Sequence, residues 1–168
     1  MSERTTSVVV LGGGPGGYEA ALVAAHLGAA VTVVDRDGLG GAAVLTDCVP
    51  SKTLISTSDF LSRFEVARGL GVRVDEARPG HGATADLVAV NERILGLAAA
   101  QSRDIEARLE TVGVRVCRGV GRLVSPAKVS VEVVCGTTEE LDADTTRAMP
   151  AASASSNTLA VPSTFTRA

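Results

Sequence analysis

The chain has 168 residues, 45% of them hydrophobic and 21% charged, with a net charge of −3. That composition suits one globular domain with a sizeable core and excludes a disordered chain. It carries no Lys/Arg cluster, which argues against a nucleic-acid partner.

Residues 7–11 are a short β-branched run, expected to form a buried strand. The run is too short for a signal peptide. A glycine-rich turn, 12–17, follows it. An Ala/Leu-rich helix is expected over 18–27 and ends at Gly28. A second strand is expected over 31–34, closed by Asp35. Strand, helix and strand together make a β-α-β unit, which calls for a parallel sheet with a right-handed crossover. The apolar stretch 20–34 is interrupted by His26, Gly28 and Thr32 and falls short of a membrane span. The cytosol is therefore the default compartment.

Pro50 opens the next helix, where a missing N–H costs nothing, and that helix runs to about Gly69. A short strand is expected at 71–74 and a loop at 78–82. Over 86–110, Leu87, Val90, Ile94, Leu97, Ile105 and Leu109 recur at helical spacing, and Gly113 stops the helix. Strands are expected at 114–117, 120–124 and 128–134, with Ser125-Pro126-Ala127 as a turn. Tyr18, Phe60, Phe64 and Phe165 are the only aromatic residues, so the core must be aliphatic.

Gly12, Gly14 and Gly17 form G-x-G-x-x-G between strand and helix, and Asp35 supplies an acid at the end of the second strand. This is the dinucleotide fingerprint in its required context. Gly12 permits the tight turn. Gly14 lets the backbone approach a pyrophosphate, and Gly17 lets the helix pack close to the strand. The helix N-terminus faces the phosphates with its unpaired N–H groups and positive dipole end. Asp35 is expected to accept hydrogen bonds from the adenosine ribose. The fingerprint alone does not separate FAD from NAD.

Residues 40–52 read G-G-A-A-V-L-T-D-C-V-P-S-K. With the fingerprint, this segment resembles the flavoprotein disulfide reductases, the class I pyridine nucleotide-disulfide oxidoreductases that include dihydrolipoamide dehydrogenase and glutathione reductase. Their pattern is G-G-T-C-x-x-x-x-C-x-P-S-K. The resemblance runs over residues 8–144, with both motifs in family order and spacing. It implies FAD as cofactor, with NAD(P)H as co-substrate bound in a later domain. It places Gly12, Gly14, Gly17 and Asp35 on the FAD nucleotide and Gly40 and Gly41 along its phosphate and ribitol. Lys52 would lie beside the flavin ring, and Gly119 would make a backbone contact near the adenine. The implied fold class is α/β: a Rossmann-like FAD-binding domain, with a parallel sheet plus a small antiparallel β meander, incomplete here.

The chain departs from the family pattern at Ala43, which stands where the first redox cysteine would be. Cys48 matches the flavin-facing cysteine, just before a helix N-terminus where a thiolate is favoured. Asp47, in place of the family's glycine, works against that thiolate. Cys48 is therefore either a residue of the redox site or a retained packing residue. Without a partner thiol, disulfide cycling is lost. The same half motif marks the actinobacterial NAD(P)H:quinone reductase subgroup. The resemblance thus implies hydride transfer from NAD(P)H through FAD to a small-molecule quinone, with Lys52 stabilising negative charge on the flavin. Lys52 has a simpler reading as a solvated first-turn lysine. The competing functions are a dihydrolipoamide dehydrogenase-type fragment and an inert nucleotide-binding fragment.

His26 and His81 are expected to be non-catalytic. Cys117 and Cys135 are expected to be inert thiols, and the three cysteines contain no Cys-x-x-Cys spacing for a metal site. Seventeen of the final 24 residues, 145–168, are Ala, Ser, Thr or Pro. They are expected to form a disordered, out-of-frame tail after a FAD-binding domain over 1–144. The family's NAD(P) domain and its homodimer interface domain are not among these residues, so turnover by the chain alone is not expected.

Overall fold

In a computed structural model, the described residues are 5–71, 85–133 and 136–148. The sheet starts with two parallel strands, β1 (Ser7–Leu11) and β2 (Ala30–Asp35), with Val9 opposite Thr32 and Leu11 opposite Val34. The helix between them, α1 (Pro15–His26), starts three residues earlier than its apolar pattern suggests. Pro15 explains this, because its fixed φ is pre-set for a first helical position.

A five-residue helix, α2 (Gly41–Leu45), precedes α3 (Cys48–Gly69). The sequence gives no sign of α2, which is too short to show periodicity. Helix α4 (Leu87–Thr111) is capped by Asp86, whose Oδ1 accepts from the N–H groups of Val88 at 3.0 Å and Ala89 at 3.2 Å. Its buried face is Ala98, Ser102, Ile105 and Leu109. Leu87 and Leu97, expected on that face, are exposed among the described residues.

The strands expected at 114–117 and 120–124 are one strand, β3 (Arg115–Ser125). Its first part runs parallel to β2, and from Gly119 it runs antiparallel to β4 (Lys128–Val133). Gly119 allows the merger, because a Cβ there would lie 2.5 Å from the Glu132 carbonyl oxygen on β4. Two further strands complete the sheet, β5 (Thr138–Asp142) against β4 and β6 (Thr145–Ala148) parallel to β1. The order is β5-β4-β3-β2-β1-β6. The expected parallel sheet with an antiparallel meander is therefore present.

Strand β6 lies inside the stretch 145–168 that was expected to be disordered. The backbone of Thr145–Ala148 finds a complete parallel partner in β1, which composition alone does not reveal. Residues 149–168, and the expected strand and loop within 72–84, lie outside the described residues.

Side chains alternate across the sheet as strand geometry requires. Val10, Val31 and Val33 face Ala21, Ile105 and Leu109 in one core, while Val9 and Val34 join Cys117, Val129 and Val131 in another. Apolar layers on both faces are what a parallel sheet needs. Both cores are aliphatic, as the shortage of aromatics requires.

Candidate nucleotide site

Strand β1 ends at Leu11, and the chain turns through Gly12, whose φ of 100° is open to glycine but strained for other residues. Gly12 N–H donates to the Val34 carbonyl at 2.9 Å, which ties the turn to β2. Gly14 then caps α1 with no side-chain capping bond, and the first turn carries no acidic residue. The orphan N–H groups and positive end of the helix are thus left for an anion.

The glycines differ in what surrounds them. A Cβ on Gly17 would stand 1.9 Å from the Gly12 carbonyl oxygen, and one on Gly13 would stand 2.4 Å from Leu39. A Cβ on Gly14 would meet nothing within 4 Å. The space in front of Gly14 is the room a pyrophosphate backbone contact requires, so this cradle fits the phosphates of a dinucleotide.

Residues 40–41 belong to the same site. Gly40 N–H donates to the Gly13 carbonyl at 2.8 Å. A Cβ on Gly41 would approach the Gly14 Cα to 2.9 Å, and both residues have positive φ, 96° and 55°. The two motifs, separated by 23 positions in sequence, therefore meet in one backbone cradle.

Asp35 sits between them. Its Oδ2 accepts from the Gly13 N–H at 2.7 Å, and its Oδ1 accepts from Asp37 N–H at 2.9 Å and Gly38 N–H at 3.0 Å. The carboxylate expected to meet a ribose thus also organises backbone. The neighbouring Arg36 guanidinium, hydrogen-bonded to Asp37, holds the Asp37 carboxyl below its usual range. That pair is exposed.

Cys48 opens α3 and is exposed among the described residues. The Asp47 carbonyl accepts from Ser51 N–H at 2.9 Å and closes the first turn. Lys52 lies one turn into α3 and is exposed, with no ion-pair partner among the described residues. Ala43 is on α2 and partly buried. Gly119 is buried under β4, so packing alone accounts for its being glycine.

His26 is exposed, with Nδ1 2.7 Å from the Leu22 carbonyl. Cys117 is buried, and burial pushes its thiol pKa up, which keeps it protonated. Cys135 and His81 lie outside the described residues. Among the described residues no cluster of His, Cys, Asp or Glu could hold a metal, and no helix is long and apolar enough to cross a membrane.

Sequence reasoning missed three participants. Gly13 supplies both an N–H and a carbonyl to the cradle, and its only signal was that an unspecified position of the fingerprint is itself glycine. Arg118 of β3 pairs with Glu106 of α4 at 2.5 Å, and Ser102 is buried on α4. A Cβ on Gly38 would meet Ser102 Oγ at 3.0 Å and Arg118 Nη1 at 3.3 Å. Nothing local in the sequence joins these positions.

Comparison with known proteins gives the family of the chain. The family model described as pyridine nucleotide-disulphide oxidoreductase matches residues 6–163. An NAD(P)H dehydrogenase (quinone) from Mycobacterium tuberculosis is 43% identical over 148 residues, covering 83% of this chain and 29% of that protein. Dihydrolipoyl dehydrogenase 2 from Haloarcula marismortui is 36% identical over 126 residues, covering 75% of this chain and 25% of its own length. The crystal structure of LpdA from Mycobacterium tuberculosis superposes with a TM-score of 0.75 at 40% identity, over 86% of this chain and 31% of that one. The chain thus spans under a third of the length of these relatives. With the fingerprint, the second glycine pair and the sheet all in place, the chain belongs to the pyridine nucleotide-disulphide oxidoreductase family.

Proposed function

We propose that the chain is the FAD-binding part of an NAD(P)H:quinone oxidoreductase. The observation that carries this reading is Ala43 at the position of the family's first redox cysteine, beside 43% identity to a relative named for quinone. Gly12, Gly14 and Gly17 would seat the pyrophosphate, with Gly40 and Gly41 continuing the contact toward the ribitol. Asp35 would serve the adenosine half, and the Gly119 backbone would lie near the adenine. Bound FAD would supply the two-electron chemistry, taking hydride from NAD(P)H and passing the electron pair to a small-molecule quinone.

Lys52 would hold its ammonium near the ring and stabilise negative charge there, an electrostatic role that needs no proton transfer. Cys48, without a thiol at position 43, would stand beside the flavin with no disulfide to form. The NAD(P)H site, the quinone site and a homodimer interface would belong to the remainder of a full-length protein, working in the cytoplasm.

The test has two parts. The purified chain is titrated with FAD, ADP and FMN, and FAD and ADP are expected to bind while FMN, which lacks the adenosine half, does not. Failure of FAD and ADP to bind would sink the cofactor assignment and favour an inert fragment. A chain extended to the relatives' full length is expected to reduce quinones with NAD(P)H and to leave lipoamide untouched. Lipoamide reduction would instead establish the dihydrolipoyl dehydrogenase reading.

A further inference from the structure

The phosphate loop stands on the loop after β2. Leu39 is fully buried, and a Cβ on Gly13 would collide with its Cδ2. Gly40 N–H donates to the Gly13 carbonyl at 2.8 Å, and a Cβ on Gly41 would come within 2.9 Å of the Gly14 Cα. Close-packed atoms transmit displacement, so a shift of residues 38–41 is passed on to Gly13 and Gly14.

Residue 38 fixes where that loop lies. Gly38 has a φ of 131°, and a Cβ there would meet Ser102 Oγ at 3.0 Å, Arg118 Nη1 at 3.3 Å and Leu45 Cδ1 at 3.5 Å. The loop backbone thus rests on the Arg118 guanidinium of β3 and on buried Ser102 of α4. Arg118 Nη2 in turn donates to Glu106 Oε2 of α4 at 2.5 Å. The Arg118 side chain is 38% exposed and that of Glu106 25%, so the pair is partly withdrawn from water. A charge-assisted bond holds more firmly there than on an open surface. Ser102 and Glu106 are one helical turn apart and share a face of α4, so helix and strand together form a single brace behind Gly38.

We propose that the Glu106–Arg118 pair is a positioning device for pyrophosphate binding: it holds the loop after β2 against the phosphate loop and so sets the backbone of Gly13–Gly14 and Gly40–Gly41, without itself touching the ligand. The inference rests on the dinucleotide reading of this site. It assigns the Arg118 guanidinium to support, as distinct from direct contact with the nucleotide.

The probe is ADP, titrated calorimetrically into the full chain, into Glu106→Gln, into Arg118→Met and into the double variant, at a temperature where circular dichroism shows each folded. Glu106→Gln keeps the guanidinium and removes its charge partner, whereas Arg118→Met keeps an apolar stem and removes the charged head. Each single variant is expected to bind ADP about fivefold more weakly, and the double variant no more weakly than either, because one shared contact is lost in all three. Hydrogen exchange at the Gly40 amide, read by NMR, should accelerate in each variant relative to the amides of β1. A pair that only stabilised the fold would lower the melting temperature and leave ADP affinity unchanged, which would overturn the proposal. So would a loss confined to Arg118→Met, which would make Arg118 a ligand contact, or a double variant weakened by the product of the two single losses. If Arg118→Met does not fold, Glu106→Gln decides alone: weaker ADP binding with faster Gly40 exchange supports the brace, and unchanged affinity overturns it. A wild-type chain that does not bind ADP overturns the dinucleotide reading itself, a result distinct from variants that bind as well as wild type.

Discussion

Two alanine substitutions at the start of α1 should behave in opposite ways. At Gly17 a Cβ would lie 1.9 Å from the Gly12 carbonyl oxygen. Carbon–oxygen contacts ordinarily stay at about 3.3 Å or more, so α1 would have to withdraw by roughly 1.4 Å. Overpacking costs about 1–3 kcal/mol, and a clash with backbone belongs at the upper end. Replacing a helical glycine with alanine returns about 1 kcal/mol of propensity, which leaves Gly17→Ala less stable by about 2 kcal/mol. For a chain of this size that lowers Tm by about 4–8 °C.

Gly14 is different. Its φ of −65° and ψ of 178° are open to any residue, and a Cβ meets nothing within 4 Å. The weaker capping by alanine and the entropy it removes from the unfolded chain are each about 0.5–1 kcal/mol and oppose each other. Gly14→Ala should therefore melt within about 2 °C of the wild-type chain. It should nevertheless bind ADP more weakly, because its methyl fills the space kept for phosphate. Thermal unfolding by circular dichroism and an ADP titration read both effects. A Gly17→Ala variant that melts like wild type, or a Gly14→Ala variant that falls as far, would refute the assignment of one glycine to packing and the other to ligand.

Three more outcomes are expected. Asp86→Ala removes the cap of α4 and should destabilise the chain by about 1 kcal/mol, visible in urea unfolding; no change would mean that the start of α4 contributes nothing to stability. In native buffer a thiol alkylating agent should modify exposed Cys48 and spare buried Cys117, as read by peptide mass spectrometry. Burial raises the Cys117 pKa above the ordinary 9.0, so the folded chain keeps a proton that the unfolded chain releases, and stability should fall as pH rises past that value. A Cys117→Ala variant with an unchanged alkaline stability profile would contradict this.

The β-α-β unit was legible because glycines and β-branched runs punctuate it: Gly12, Gly28 and Asp35 mark its ends almost to the residue. Helix α4 was legible from Asp86 and Gly113. What the sequence hid was of two kinds. Strand β5, Thr-Glu-Glu-Leu-Asp, has no apolar alternation because Glu139 serves Arg115 of β3 and Glu140 serves Lys128 of β4. The continuity of β3 was masked by Gly119, which reads as a break but is a close contact against the Glu132 carbonyl of β4. For the site, the residue types were visible and their wiring was not. Asp35 was visible as an acid closing the second strand, yet its three backbone donors depend on two loops meeting, which no local pattern encodes.

Strand β3 has a consequence beyond topology. Arg115–Arg118 are hydrogen-bonded into the parallel sheet and Gly119–Ser125 into the meander, along one uninterrupted backbone. The meander consequently has no hinge at which to detach and should open together with the nucleotide-binding half as a single foldon. Occupancy of the cradle would then protect the amides of β4, on the far side of the sheet from β1, in the same cooperative step.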